Sequence, residues 1–123
     1  MTEFERLQEI IAQLRGENGC PWDRDQTHVS LKPACVEEAA EVVCGINILE
    51  KTGDAENLKE ELGDLLLQVV MHAQIAEEEN LFTMDDVIRG ISEKMIRRHP
   101  HVFGTTEAQN SQEVLVNWES IKK

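Results

Sequence analysis

The chain has 123 residues, of which 24 are acidic and 12 basic, giving a formal charge of −12 at pH 7. That length suits one domain, which buries roughly two thirds of the surface its unfolded chain exposes. The charge repels nucleic-acid backbones and anionic membranes, and the longest apolar run, residues 65–71, is broken by Gln68, far short of the ~20 residues of a membrane span. A single domain over 1–123 is therefore expected, with 102–123 as its tail. The opening MTEFERLQE has neither the basic start nor the apolar centre of a secretory signal, so a cytoplasmic protein is expected. Three cysteines, Cys20, Cys35 and Cys44, make no CxxC pair and read as reduced packing residues.

Tyrosine is absent and aromatic residues make up 4%, and no stretch alternates apolar with polar long enough for a buried sheet face. Helical spacing recurs instead, which predicts an all-α fold. Thr2 and Glu5 form a capping box ahead of Phe4, Leu7, Ile10, Ile11 and Leu14, a stripe that ends at Gly16. Residues 16–33, with two glycines and two prolines, predict one long loop, ordered by its tryptophan. A second helix is expected over 33–51, with Val36, Ala39, Val43, Ile46 and Ile48 or Leu49 inward and Gly53 and Asp54 ending it.

The third helix begins near Asn57 and carries Leu58, Leu62, Leu65, Leu66, Val69, Val70 and Ala73. Around residues 65–71 apolar side chains cover nearly the whole circumference. Such a turn needs neighbours on every side, which predicts a homodimer core. Thr83 and Asp86 open a fourth helix with Met84, Val87, Ile88, Ile91 and Met95 inward, and Pro100 stops it. Ser111 caps a short last helix bearing Val114, Leu115, Trp118 and Ile121.

Six carboxylates stand among apolar residues: Glu37, Glu38 and Glu41 on the second helix, and Glu60, Glu61 and Asp64 on the third. Residues three apart on a helix stand about 5–6 Å apart at Cβ. Glu38 with Glu41, and Glu61 with Asp64, thus each present two like charges to one place. If the two helices pack antiparallel, the pairs face each other as a four-carboxylate site, and hard oxygen ligands select Mg²⁺ or Mn²⁺ over zinc. The competing reading is a pair of solvated acidic faces. Gly63, between Glu61 and Asp64, favours the first, since a mid-helix glycine costs about 1 kcal/mol relative to alanine and suggests a close approach. No GxxxxGK[ST] loop is present, so a phosphate chain must be held by metal and by basic side chains. Lys94, Arg97 and Arg98 share one helix face and suit that task. They equally suit the dipole of a helix ending before Pro100.

Two further features have plain alternatives. Trp22 stacks on a base or, more commonly for such a loop, anchors the loop to the core. His28, His72, His99 and His101 with Cys20 match no zinc-ligand spacing and read as structural.

Taken together, GCPWDRDQTHVSL, EEAAEV, EELGDLLLQVVMHAQIAEE and KMIRRHPHVFG resemble the MazG family of nucleoside triphosphate pyrophosphohydrolases, across most of the chain. An ExxE alone says little, whereas EExxE followed by ExxD between these flanking blocks is specific. The resemblance implies all-α helical hairpins that dimerise into a four-helix-bundle-type core. It also implies Mg²⁺-dependent hydrolysis of a nucleoside triphosphate to the monophosphate and pyrophosphate. It places Glu38, Glu41, Glu61 and Asp64 at metal-ligand positions, with Glu37, Lys59 and Glu60 shaping the site. Lys94, Arg97 and Arg98 fall on the phosphate-contacting motif, and Trp118 near a tail tryptophan that helps cover the nucleotide. The residues by themselves permit a mechanism in which the four carboxylates would hold two Mg²⁺, water attacks the α-phosphorus with Glu37 or Glu41 accepting its proton, and pyrophosphate leaves under cover of Lys94, Arg97 and Arg98. Longer relatives carry two such modules and this chain resembles the first, which leaves a metal- and nucleotide-binding regulatory module as the rival function, and a purely structural helical dimer as a third.

Overall fold

The structure is a computed structural model that describes residues 1–104 and 110–121. Every regular element among them is a helix: α1 Glu3–Leu14, α2 Pro21–Asp25, α3 Lys32–Thr52, α4 Glu56–Glu78, α5 Met84–Arg98, α6 Pro100–Phe103 and α7 Ser111–Ile121. The chain divides into two compact units, Met1–Met84 and Asp85–Lys123.

The first unit is built on the α3–α4 hairpin, with α1 packed on α4. Thr2 caps α1 as expected, its Oγ1 accepting from the Glu5 N–H at 3.1 Å. The 53–55 connection reverses the chain because Gly53 takes the left-handed conformation (φ 77°) and its N–H reaches the Leu49 carbonyl at 2.8 Å. The Asp54 carboxylate then accepts from the Glu56 N–H at 3.0 Å and starts α4. So short a turn makes the helices antiparallel, and Gly45 sets their spacing: a Cβ there would stand 2.9 Å from the Leu58 Cα. The core lies on the C-terminal half of α4, where Val70, Met71, Ala73, Ile75 and Ala76 are buried, together with Ile11 and Leu31.

Three expectations need correction. The 16–33 segment is not one continuous loop, since α2 interrupts it. Its anchor is Arg15 rather than Trp22, which is 65% exposed. The Arg15 guanidinium donates to the Asp23 and Gln26 carbonyls and, in a fork, to both Glu78 oxygens at 2.9 Å, with only 6% of its side chain exposed. The inward face of α3 is also different. Val36 is 73% and Val43 56% exposed, and Ala39, Ile46 and Ile48 are exposed as well. Cys35, Glu38, Val42, Gly45 and Leu49, at spacings of three and four, are the less exposed positions.

In the second unit α5 ends at Arg98, and Pro100 both stops it and starts α6. The cap of α7 is Asn110 rather than Ser111, its Oδ1 accepting from the Glu113 N–H at 2.9 Å. On α5, Met84, the last residue of the first unit, is buried; in the second unit Val87 and Met95 are half-buried, while Ile88 and Ile91, expected inward, are exposed.

Candidate metal centre

The antiparallel hairpin brings the second-helix and third-helix acids to one level. Glu38 from α3 and Glu61 and Asp64 from α4 each turn a carboxylate oxygen to within 4.8 Å of the others. Glu38 and Glu61 are half-buried and Asp64 is exposed. Oxygens on the coordination sphere of a small divalent cation stand about 3–4 Å apart, so modest side-chain rotation closes the group around one ion.

The electrostatics agree with that use. The Glu38 carboxyl is pushed above its ordinary value, first by loss of water and then by the charges of Asp64, Glu41 and Glu37. Glu61 is raised in the same way, by loss of water and then by Glu41, Asp64, Glu38 and Glu60. Carboxyls that resist ionisation because they have lost water and repel one another gain when a cation joins them. Glu41 is not one of the three converging ligands, yet its charge reaches two of them. Glu37 and Glu60 are exposed; the charge of Glu37 acts on Glu38 and that of Glu60 on Glu61.

Lys59 is exposed and paired with Glu56 at 2.9 Å on its own helix. Lys94 and Arg97 are exposed and Arg98 half-buried, all on α5 in the second unit. Trp118 belongs to α7, but its side chain lies outside the described residues. Gly63 does not mark a close approach, since nothing stands within 4 Å of an added Cβ. That role falls to Gly45, whose signal in the sequence is the same: a glycine inside a helix. The histidines gather in pairs: His28 and His72 lie edge to edge in nearly parallel planes, their Nδ1 atoms 2.7 Å apart, and His99 lies against His101. Among the described residues the acidic trio is the one group of three potential metal ligands.

A family model described as the MazG nucleotide pyrophosphohydrolase domain matches residues 26–103. The chain belongs to the MazG family. The match takes in every candidate carboxylate and the α5 cations, and leaves Trp118 and Arg15 outside. Among MazG relatives, the nucleoside triphosphate pyrophosphohydrolase/pyrophosphatase MazG of Thermotoga maritima is 53% identical over 119 residues, 97% of this chain and 44% of that protein. The nucleoside triphosphate pyrophosphohydrolase of Escherichia coli K12 is 48% identical over 123 residues, 99% of this chain and 45% of that protein. An uncharacterised Bacillus subtilis protein, YabN, is 55% identical over 98% of this chain and 24% of its own length. The chain thus spans less than half the length of these curated relatives. A solved MazG-related protein from Thermotoga maritima superposes with a TM-score of 0.73 at 30% identity, covering 96% of this chain and 97% of that one.

Proposed function

We propose that this MazG chain hydrolyses nucleoside triphosphates to the monophosphate and pyrophosphate at the acidic face of the α3–α4 hairpin. The observation that carries the reading is the convergence of Glu38, Glu61 and Asp64 from two helices, with the carboxyls of Glu38 and Glu61 raised by burial and mutual repulsion. The names of the relatives support the substrate class.

Three hard oxygen donors, joined by Glu41, fit Mg²⁺, with Mn²⁺ as a substitute. Such an ion supplies Lewis-acid polarisation of phosphoryl oxygens. Glu38, Glu61 and Asp64 hold it, and Glu37 or Glu41 accepts the proton of the water that attacks the α-phosphorus. Lys94, Arg97 and Arg98 are assigned to the phosphates, Lys59 and Glu60 to shaping the site and Trp118 to covering the nucleotide, on the family pattern. The whole of 1–123 serves as one module in this reading.

The working unit is proposed to be a homodimer. Val36, Val43 and Ile46 on α3 and Leu62, Leu66 and Val69 on α4 are exposed, more apolar surface than a soluble helical hairpin ordinarily leaves in water. Among the described residues no helix is long and apolar enough to cross a membrane. The free cysteines and acidic surface fit the reducing cytoplasm and a small-molecule substrate rather than nucleic acid.

Incubation with Mg²⁺ and a panel of ribo- and deoxyribonucleoside triphosphates, resolved by chromatography, tests the reaction. Monophosphate and pyrophosphate in equal amounts are expected, and Glu38→Gln abolishes them with the helical circular dichroism retained. A metal- and nucleotide-binding regulatory module is the competing reading, and metal-dependent nucleotide binding without product would select it.

A further inference from the structure

One helical turn beyond the acidic trio, the seam between α3 and α4 carries a second polar group. Cys35 stands three residues before Glu38 on α3, and its Sγ lies 3.3 Å from Nε2 of His72 on α4. On the other side of that ring, His72 Nδ1 lies 2.7 Å from Nδ1 of His28, in the segment between α2 and α3. The two rings are nearly parallel, 7° apart, with centroids separated by 5.0 Å. For the Cys35 thiol to donate to Nε2, His72 must carry its own proton on Nδ1, and that N–H then points at the His28 Nδ1 lone pair. Nucleophile, base and orienting group thus stand in a row, the order that activates thiols elsewhere.

We propose that Cys35 is a thiol-modification site, served by His72 as proton acceptor and by His28 as the positioning residue, and that small disulfides are its co-reactants. The thiol proton moves to His72 Nε2 and the Cys35 sulfur attacks one sulfur of the disulfide. The disulfide bond breaks as the new mixed disulfide forms, and the departing thiolate takes the proton from His72 to leave as a thiol. The Cys35 sulfur is oxidised and the departing one reduced, so electrons balance. Partial burial, and then the nearness of His28, hold His72 below the ordinary histidine value, which keeps the imidazole neutral near pH 7 and able to accept the proton. A group attached to Cys35 would stand beside Glu38. The reactivity itself does not depend on the pyrophosphohydrolase reading.

Cys44 is the built-in control. It lies on the same helix and is exposed, whereas Cys35 is only partly so, and a half-buried cysteine without a base is ordinarily the slower of the two. The full chain, treated with oxidised glutathione near neutral pH and mapped by peptide mass spectrometry, should form the mixed disulfide at Cys35 roughly tenfold faster than at Cys44. In denaturant the two rates should converge. His72→Phe should lower the Cys35 rate about tenfold and leave Cys44 unchanged. His28→Asn, in a segment still tied by Arg15, should lower the Cys35 rate to an intermediate value and keeps the test open if His72→Phe fails to fold. Modification of Cys44 first, or a Cys35 rate indifferent to both substitutions, would overturn the proposal.

Discussion

Gly45 and Gly63 sit in similar helical surroundings and carry opposite expectations. A methyl group at Gly45 would press on the Leu58 backbone at 2.9 Å, and overpacking of that kind costs about 1–3 kcal/mol, part of it offset by the better helix propensity of alanine. Gly63 faces nothing within 4 Å, so the propensity gain stands alone. Denaturant unfolding should show Gly45→Ala destabilised and Gly63→Ala stabilised by about 0.5–1 kcal/mol. A loss at Gly63 would mean that another surface meets it. Arg15 is the residue the sequence concealed most completely. No spacing rule links it to carbonyls 8 and 11 residues away or to a carboxylate 63 away. Its truncation to alanine strands those groups and should cost about 2 kcal/mol. The hydrogen bond from Arg15 is also the main reason that the Glu78 carboxyl lies below its ordinary value. A depressed carboxyl stabilises the fold above its unfolded pKa and loses that contribution as pH falls through the folded value. The acid limb of the stability curve should therefore flatten in Arg15→Ala, as read by thermal melts in the acidic range.

At the scale of elements, legibility followed periodicity. The ends of α1 and α3 and the start of α4 are readable because capping residues and glycines stand there: Thr2 accepts from Glu5, and Gly53 closes α3. Five-residue α2 repeats too little to show a period, and its Asp23 carbonyl and the Gln26 carbonyl just beyond it are held from outside by Arg15. The inward face of α3 is hidden in the sequence for a related reason: apolar residues surround most of that helix, so composition does not single out a side, and Gly45 does. The acidic spacing could be read directly, since residues three apart share a face whichever side is buried. The metal centre makes its own prediction here. With Glu38 and Glu61 raised, folded-state repulsion grows as pH rises from 4.5 through their folded values, and the apo fold is least favoured where both are ionised. Near neutral pH, Glu61→Gln should raise the melting temperature of metal-free protein. Added Mn²⁺ should raise that of the unmodified chain and do little for the variant.

At the scale of the molecule, the exposed apolar residues of α3 and α4 pose one question: what covers them. A second copy is the proposed answer, and sedimentation equilibrium at micromolar concentration should give a dimer. Leu66→Lys should yield a monomer, because a charge buried in such an interface finds no partner. The family was legible because its motif blocks are local runs of sequence. Assembly is legible only as surface left uncovered, since an interface is written in two chains at once. Everything chemical in the proposed function depends on acids from two helices sharing a cation. Anomalous diffraction from crystals soaked in Mn²⁺ addresses that directly. A manganese peak bounded by Glu38, Glu61 and Asp64 is expected, weakened or lost in Glu38→Gln; a map with no peak there, and the three carboxylates turned to solvent, would contradict it.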